Sequence, residues 1–130
     1  MHDPIADMIV RIKNASDSKK ESVVFPYSKL KLAISDCLQK DGFIKSFGKK
    51  GKKVVKFIEV GLLYGEDGEA KISGVKRVSK SSKRVYKSAK DIKKVRSGFG
   101  TLVMSTPRGI MSGKKSKEQG VGGEALFEIW

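Results

Sequence analysis

Ile5, Met8, Ile9 and Ile12 fall at i, i+3, i+4 and i+7, the spacing of one buried stripe along a helix. Asp3 and Pro4 stand just before them; one is a good N-cap and the other is pre-set for the first helical position. Arg11, Lys13 and Asn14 fall on the polar side or at the end of that helix. Residues 22–26 then read as a short strand, β-branched and aromatic at its centre and stopped by Pro26. Ser28 caps a second helix on which Leu30, Ala33, Ile34, Cys37 and Leu38 share a face, and Gly42 suits its left-handed end. Alternation then replaces helical spacing. Residues 43–48 and 54–63 read as strands joined by a turn, Gly48-Lys49-Lys50-Gly51-Lys52-Lys53, and residues 70–77 as the third strand of a meander.

Val78-Ser79-Lys80-Ser81-Ser82-Lys83 has the composition of a linker, which puts a domain junction at 78/79. Beyond it come strands at 84–88 and 101–106, a helical turn within 89–94, and a bend at Ser97-Gly98-Phe99-Gly100. A short helix capped by Ser112 ends at Gly120, and in a closing strand Leu126, Glu128 and Trp130 alternate with Phe127 and Ile129. The order is α+β. Residues 1–78 form an N-terminal, sandwich-like α/β domain with two helices on a three-stranded sheet. Residues 79–130 form a small β-rich C-terminal domain with one short helix. Halves of about 65 residues bury only roughly 60% of their unfolded surface, so the two are expected to pack on one another.

Charge changes the picture more than size does. The net charge is +14, and residues 71–117 account for all of it, holding 15 of the 28 Lys and Arg beside a single acid, Asp91. A solvated face mixes signs, so this bias points to a polyanionic partner. The segment has no basic helix with a bulky apolar face, which favours nucleic acid over an anionic membrane. No apolar run nears the ~18 residues of a membrane span. Cys37 is the only cysteine, which excludes an internal disulfide and a cysteine-rich zinc site. Met1-His2-Asp3-Pro4 is unlike a signal peptide, and a reducing cytoplasm is expected.

Catalysis finds little support in the residues. The lone histidine, His2, lies at a terminus expected to fray, so no nucleophile has a credible base. Acids are scarce where the charge is greatest, leaving no carboxylate pair for acid–base work or magnesium. Gly120-x-Gly122-Gly123 has the wrong spacing for a dinucleotide fingerprint and precedes a strand. No enzyme activity, cofactor or metal is expected.

Ser105-Thr106-Pro107-Arg108-Gly109 sets two hydroxyls beside a cation and a flexible glycine. Pro107 biases Thr106 toward an extended backbone that would present its hydroxyl, and Arg108 can fork onto phosphate or stack on a base. An ordinary turn between strands fits the same residues. Gly122, Gly123 and Glu124 read either as a bulge or positive-φ turn, or as bare backbone admitting a nucleotide, with Glu124 accepting from a base amine or 2′-hydroxyl. Tyr86, between Arg84 and Lys87 in the neighbourhood, either stacks on a splayed base or packs at the domain interface. Lys29 and Lys31 oppose the dipole of the second helix, a mild conflict that a phosphate would relieve or that an exposed pair could simply tolerate. Arg11 and Asn14 read as the polar face of a plain helix or as RNA contacts. The lysine-rich turn at 48–53 is either a solubility device or a phosphate contact.

Ser105 to Gly109 followed by Gly120-Val121-Gly122-Gly123-Glu124 resembles the C-terminal end of bacterial ribosomal protein S-eight of the small subunit. Asp3-Pro4-Ile5-Ala6-Asp7-Met8, Arg11-Ile12-Lys13-Asn14-Ala15, Ser28-Lys29-Leu30-Lys31 and Gly74-Val75-Lys76-Arg77-Val78-Ser79 with Arg84-Val85-Tyr86 are similar to earlier parts of that family, in the same order. The resemblance implies an N-terminal α+β domain on a small β-rich one, and direct binding to the central domain of small-subunit ribosomal RNA early in assembly. It also implies neighbouring ribosomal proteins as partners and, for some members, repression of their own operon mRNA. It carries RNA contact to Ser105, Thr106, Arg108, Gly109, Gly122, Gly123, Glu124 and Tyr86. Pro107 departs from the family's usual serine, and Ser112-Gly113-Lys114-Lys115-Ser116-Lys117 from a more acidic, arginine-containing helix. A basic regulatory nucleic-acid binder outside the ribosome is the rival reading, and a phosphate-ester enzyme a distant third.

Overall fold

The computed structural model describes residues 3–130; His2 lies outside them. The chain forms two compact units, residues 4–73 and residues 74–130 joined by Asp3. Among the described residues the two are α+β, with three α-helices and two sheets.

In the first unit, helix α1 (Pro4–Asp17) buries Ile5, Met8, Ile9 and Ile12, the stripe that the spacing predicts, together with Ala15 and Ser16. Helix α2 (Lys29–Lys40) starts where the Ser28 hydroxyl accepts the Lys31 amide proton at 3.1 Å. It ends at Gly42, whose φ of +79° takes the left-handed conformation expected there. The buried face of α2 differs from the expected one. Leu30 is exposed and Lys31 is buried, its Nζ 5.9 Å from the centre of the Phe25 ring. The aliphatic stem of a lysine can cover an aromatic face as well as a leucine does.

The first sheet has the order β1-β3-β2, from β1 (Ser22–Pro26), β2 (Ile44–Lys52) and β3 (Val55–Leu62), all antiparallel. Ile58, Val60 and Leu62 alternate inward along β3. Two expectations fail here. Lys49, Lys50 and Lys52 lie in β2, not in a turn, and the chain reverses at Lys53 and Val54. The third strand of this sheet is β1, since residues 70–77 contribute only β4 (Val75–Arg77), which joins the other sheet. Glycine and lysine weaken a strand signal, but a central β3 supplies the hydrogen-bonding partners that make residues 48–52 extended.

The second unit is built around β8 (Gly123–Ile129). One edge pairs with β6 (Thr101–Thr106), which pairs in turn with β7 (Gly109–Ser112). The other edge takes β4 and then β5 (Tyr86–Lys87) in succession. This pairing moves the junction from the expected 78/79 to 73/74, because β4 is held by Phe127 to Ile129. Between Val103 and Met104 the register skips from Phe127 to Ala125, leaving Leu126 as a bulge on β8. The Leu126 carbonyl accepts the amide protons of Val78 at 3.0 Å and Ser79 at 3.3 Å, and a proton of the Arg77 guanidinium. The linker-like stretch is therefore folded. Lys80 and Lys83 exchange backbone hydrogen bonds at 3.0 Å around a tight turn, and Ser79 is fully buried.

One core of this unit joins Ile92, Val95, Leu102, Met104 and Ala125, with Val78, Val85 and Trp130 against it. Val103 and Phe127, paired in register, are also fully buried, so β6 and β8 bury both faces. Helix α3 (Gly113–Glu118) is capped as expected by Ser112, which accepts the Lys115 amide proton at 3.1 Å.

Candidate nucleic-acid interface

Three stretches far apart in sequence meet at one end of the second sheet. Tyr86 pairs with Glu124, Glu124 with Ser105, and Ser105 with Ile110, so a single row crosses β5, β8, β6 and β7. Beyond that row lie the pairs Lys87–Gly123 and Thr106–Gly109, which close the sheet end. Antiparallel partners share a face, so this register sets which side chains stand together.

The β6–β7 connection is a two-residue turn, Pro107 and Arg108, between paired Thr106 and Gly109. The Thr106 hydroxyl donates to the Gly109 carbonyl at 2.8 Å and accepts the Arg108 amide proton at 3.1 Å. It therefore braces the turn instead of standing free as the proline argument suggests. Gly109 has φ +112° and open space around it, so it is needed for backbone conformation. Pro107, Arg108 and Gly109 are exposed. Among the described residues the Arg108 guanidinium has no ion-pair partner, which leaves it displayed at the tip.

Gly122 and Gly123 each have no room for a side chain. A Cβ on Gly123 would stand 2.1 Å from the Ser105 carbonyl oxygen, and one on Gly122 would stand 2.5 Å from that of Lys87. The chain's own neighbouring strands occupy both spaces. The positive-φ glycine of this stretch is Gly120, at +67°.

Glu124 also has a different setting from the one its sequence suggests. Its side chain is 18% exposed, and Oε2 accepts from the Ser79 hydroxyl at 2.6 Å and from Arg84 at 2.8 Å. Ser79 in turn accepts the Val85 amide proton at 3.0 Å. Burial works against ionisation of Glu124. The Ser79 and Arg84 hydrogen bonds and the charges of Arg84 and Arg77 outweigh it, holding the carboxyl below the usual range. An acid in this basic surface is thus explained by the two segments it ties to β8. Arg77 is held similarly, its Nε 3.1 Å from Asp3 Oδ2.

Tyr86 is 70% exposed. Lys87 is half-buried beside it, while Ser105 and Thr106 are half-buried across the sheet. The remaining candidates belong to the other unit. Arg11 is exposed but paired with Asp7 at 3.1 Å, and Asn14 and Lys29 are exposed. Lys31 is buried, so it does not display a free cation as expected. Sequence reasoning missed Ser79 because its partners are Val85 and a carboxylate 45 positions away.

Among the described residues no group of three or more His, Cys, Asp or Glu could hold a metal ion, and no helix is long and apolar enough to cross a membrane. The family model for ribosomal protein S8 matches residues 3–130. The chain belongs to that family. Curated S8 relatives cover it almost end to end. The small ribosomal subunit protein uS8 of Roseiflexus castenholzii is 44% identical over 130 residues, covering 100% of this chain and 98% of its own. That of Halothermothrix orenii is 42% identical over 128 residues, covering 98% and 97%. The uS8 of Mycoplasmopsis agalactiae is 44% identical over 128 residues, with the same two coverages of 98% and 97%.

Proposed function

We propose that this chain is a non-catalytic structural protein of the small ribosomal subunit, in the cytoplasm, that binds the central domain of small-subunit ribosomal RNA directly and supports assembly. The observation that carries the reading is the convergence of Tyr86, Arg108 and the braced Thr106 turn at one end of the second sheet. Tyr86, Thr106 and Arg108 lie in the segment, residues 71–117, that holds the whole net charge of the chain. Exposed Tyr86 offers a stacking face for a splayed base. Arg108 offers a planar fork for phosphate. Ser105 brings a hydroxyl group to the same rim, suited to sugar and 2′-hydroxyl contact. Lysines in the segment supply most of the affinity through phosphates, and the rim selects an irregular helix by shape. Neighbouring small-subunit proteins are the further partners.

Salt titration of binding to a small-subunit ribosomal RNA fragment tests this. If roughly six phosphates are neutralised, log K falls with log salt at about 0.7 to 0.9 per contact. Duplex DNA should compete poorly, and the protein should sediment with small subunits at physiological salt. Equal affinity for duplex DNA, or absence from sedimenting subunits at that salt, would refute the reading.

A further inference from the structure

Residues 49–56 form the outer part of the β2–β3 hairpin and contain Lys49, Lys50, Lys52, Lys53 and Lys56 with no acid. Among the described residues none of the five makes an ion pair. Lys49 lies over the Tyr27 ring, Nζ 4.7 Å from its centre. In the ladder Lys52 is opposite Val55 and Lys50 opposite Phe57, whereas Gly51 is opposite Lys56 and Lys49 opposite Ile58. Successive pairs face opposite sides of an antiparallel ribbon. Lys50 and Lys52 therefore stand on one face, and Lys49 and Lys56 on the other. At the reversal Val54 is 93% exposed and the adjoining Val55 is 72% exposed.

Cations on both faces of a projecting ribbon restrict what can receive it. A flat acidic protein surface would meet one face and leave the other unmatched. A groove walled by phosphate on both sides would meet both. Strands about 5 Å apart make a ribbon narrow enough for a nucleic-acid groove. The regular major groove of A-form RNA is too deep and narrow for side chains to read, but its minor groove is wide and shallow. Val54 and Val55 would then rest on sugar faces, which need no hydrogen-bonding partner.

We propose that the β2–β3 ribbon is a second RNA contact, seated in a minor groove between two phosphate strands and blind to sequence. It rests on the reading of the chain as a ribosomal RNA binder. It adds a site in a different unit from the sheet end described above. Its test uses the full chain and a transcript of small-subunit ribosomal RNA. A Lys50→Gln/Lys52→Gln/Lys53→Gln variant, shown by its melt to be folded, should have a salt slope smaller by about 2 to 3 and bind on the order of 10- to 100-fold more weakly near physiological salt. A photo-crosslinker attached through Val54→Cys should couple to RNA, at nucleotides distinct from those reached through Arg108→Cys; the native Cys37 is buried. Unchanged slope and affinity in the triple variant, with Arg108→Ala still impaired, overturns the ribbon contact and leaves the proposed function standing. Crosslinking from position 54 to an acidic protein in assembled subunits overturns it too. If the wild-type chain fails to bind the transcript, the proposed function falls, and the ribbon contact with it.

Discussion

Replacing Ser79 with alanine should unfold the second unit at a markedly lower temperature, although Ser79 lies in a stretch with the composition of a linker. Its hydroxyl is fully buried, donates to Glu124 at 2.6 Å and accepts the Val85 amide proton at 3.0 Å. A hydrogen bond to a charged group contributes about 1.5–3 kcal/mol, and stranding a part-buried amide costs about 1 kcal/mol more. The expected loss for Ser79→Ala is therefore about 2–4 kcal/mol. For a unit of this size each kcal/mol shifts the midpoint by roughly 4–8 °C, so a fall of at least 8 °C is expected. Trp130 packs against the core of this unit, so its fluorescence during a thermal scan reports the transition. Ser82→Ala, at an exposed neighbour, should stay within about 0.5 kcal/mol of wild type. A double-mutant cycle with Glu124→Gln should give a coupling of about 1–2 kcal/mol. A Ser79→Ala protein that melts within 2 °C of wild type would refute the claim that this hydroxyl ties β8 to the segment before β5.

Gly123→Ala should destabilise the same unit by about 3 kcal/mol or more, because the new Cβ meets the Ser105 carbonyl at 2.1 Å; Gly109→Ala, strained only through its φ of +112°, should cost about 1 kcal/mol, and urea titration ranks the two. With its native pKa held down, Glu124 contributes stability that is complete above the unfolded value near 4.3 and is lost as pH falls through the folded value. Melts from pH 7 to pH 3 should therefore show wild type losing more than Glu124→Gln below about pH 4.3, and parallel curves would count against the carboxylate's role. Tyr86→Ala removes a side chain that is 70% exposed, so its melt should move little while RNA affinity falls by about 1–3 kcal/mol; filter binding that shows no loss would exclude stacking.

The elements that could be read from sequence are those with local signals. Helix α1 carries its stripe within one segment, and Ser28, Gly42 and Ser112 mark helix ends by interactions a few residues away. Strand β6 was equally legible, since its apolar run lies between a glycine bend and a proline turn. What escaped depends on partners distant along the chain. Lysines and glycines of β2 become strand only because β3 lies beside them. Lys31 is buried because Phe25 offers a ring for its stem to cover. Nothing local shows that Lys87 and Ser105 fill the space a side chain at 122 or 123 would need. Of the candidate contacts, those of the terminal signature come together at one end of the sheet, but the sequence did not separate displayed groups such as Arg108 and Tyr86 from braces such as Thr106 and Glu124.

The bulge at Leu126 has a bearing on how recognition can fail. A regular ladder can slide by one residue and trade its faces, but a single irregular position fits its partners in only one alignment. Leu126 engages Arg77, Val78 and Ser79 there, and the same strand aligns Tyr86 with Ser105 through Glu124. A slipped β8 would scatter the whole rim at once instead of dulling it by degrees. Lesions deep in this sheet should therefore mimic loss of a contact residue, with RNA discrimination vanishing abruptly while the other unit stays folded.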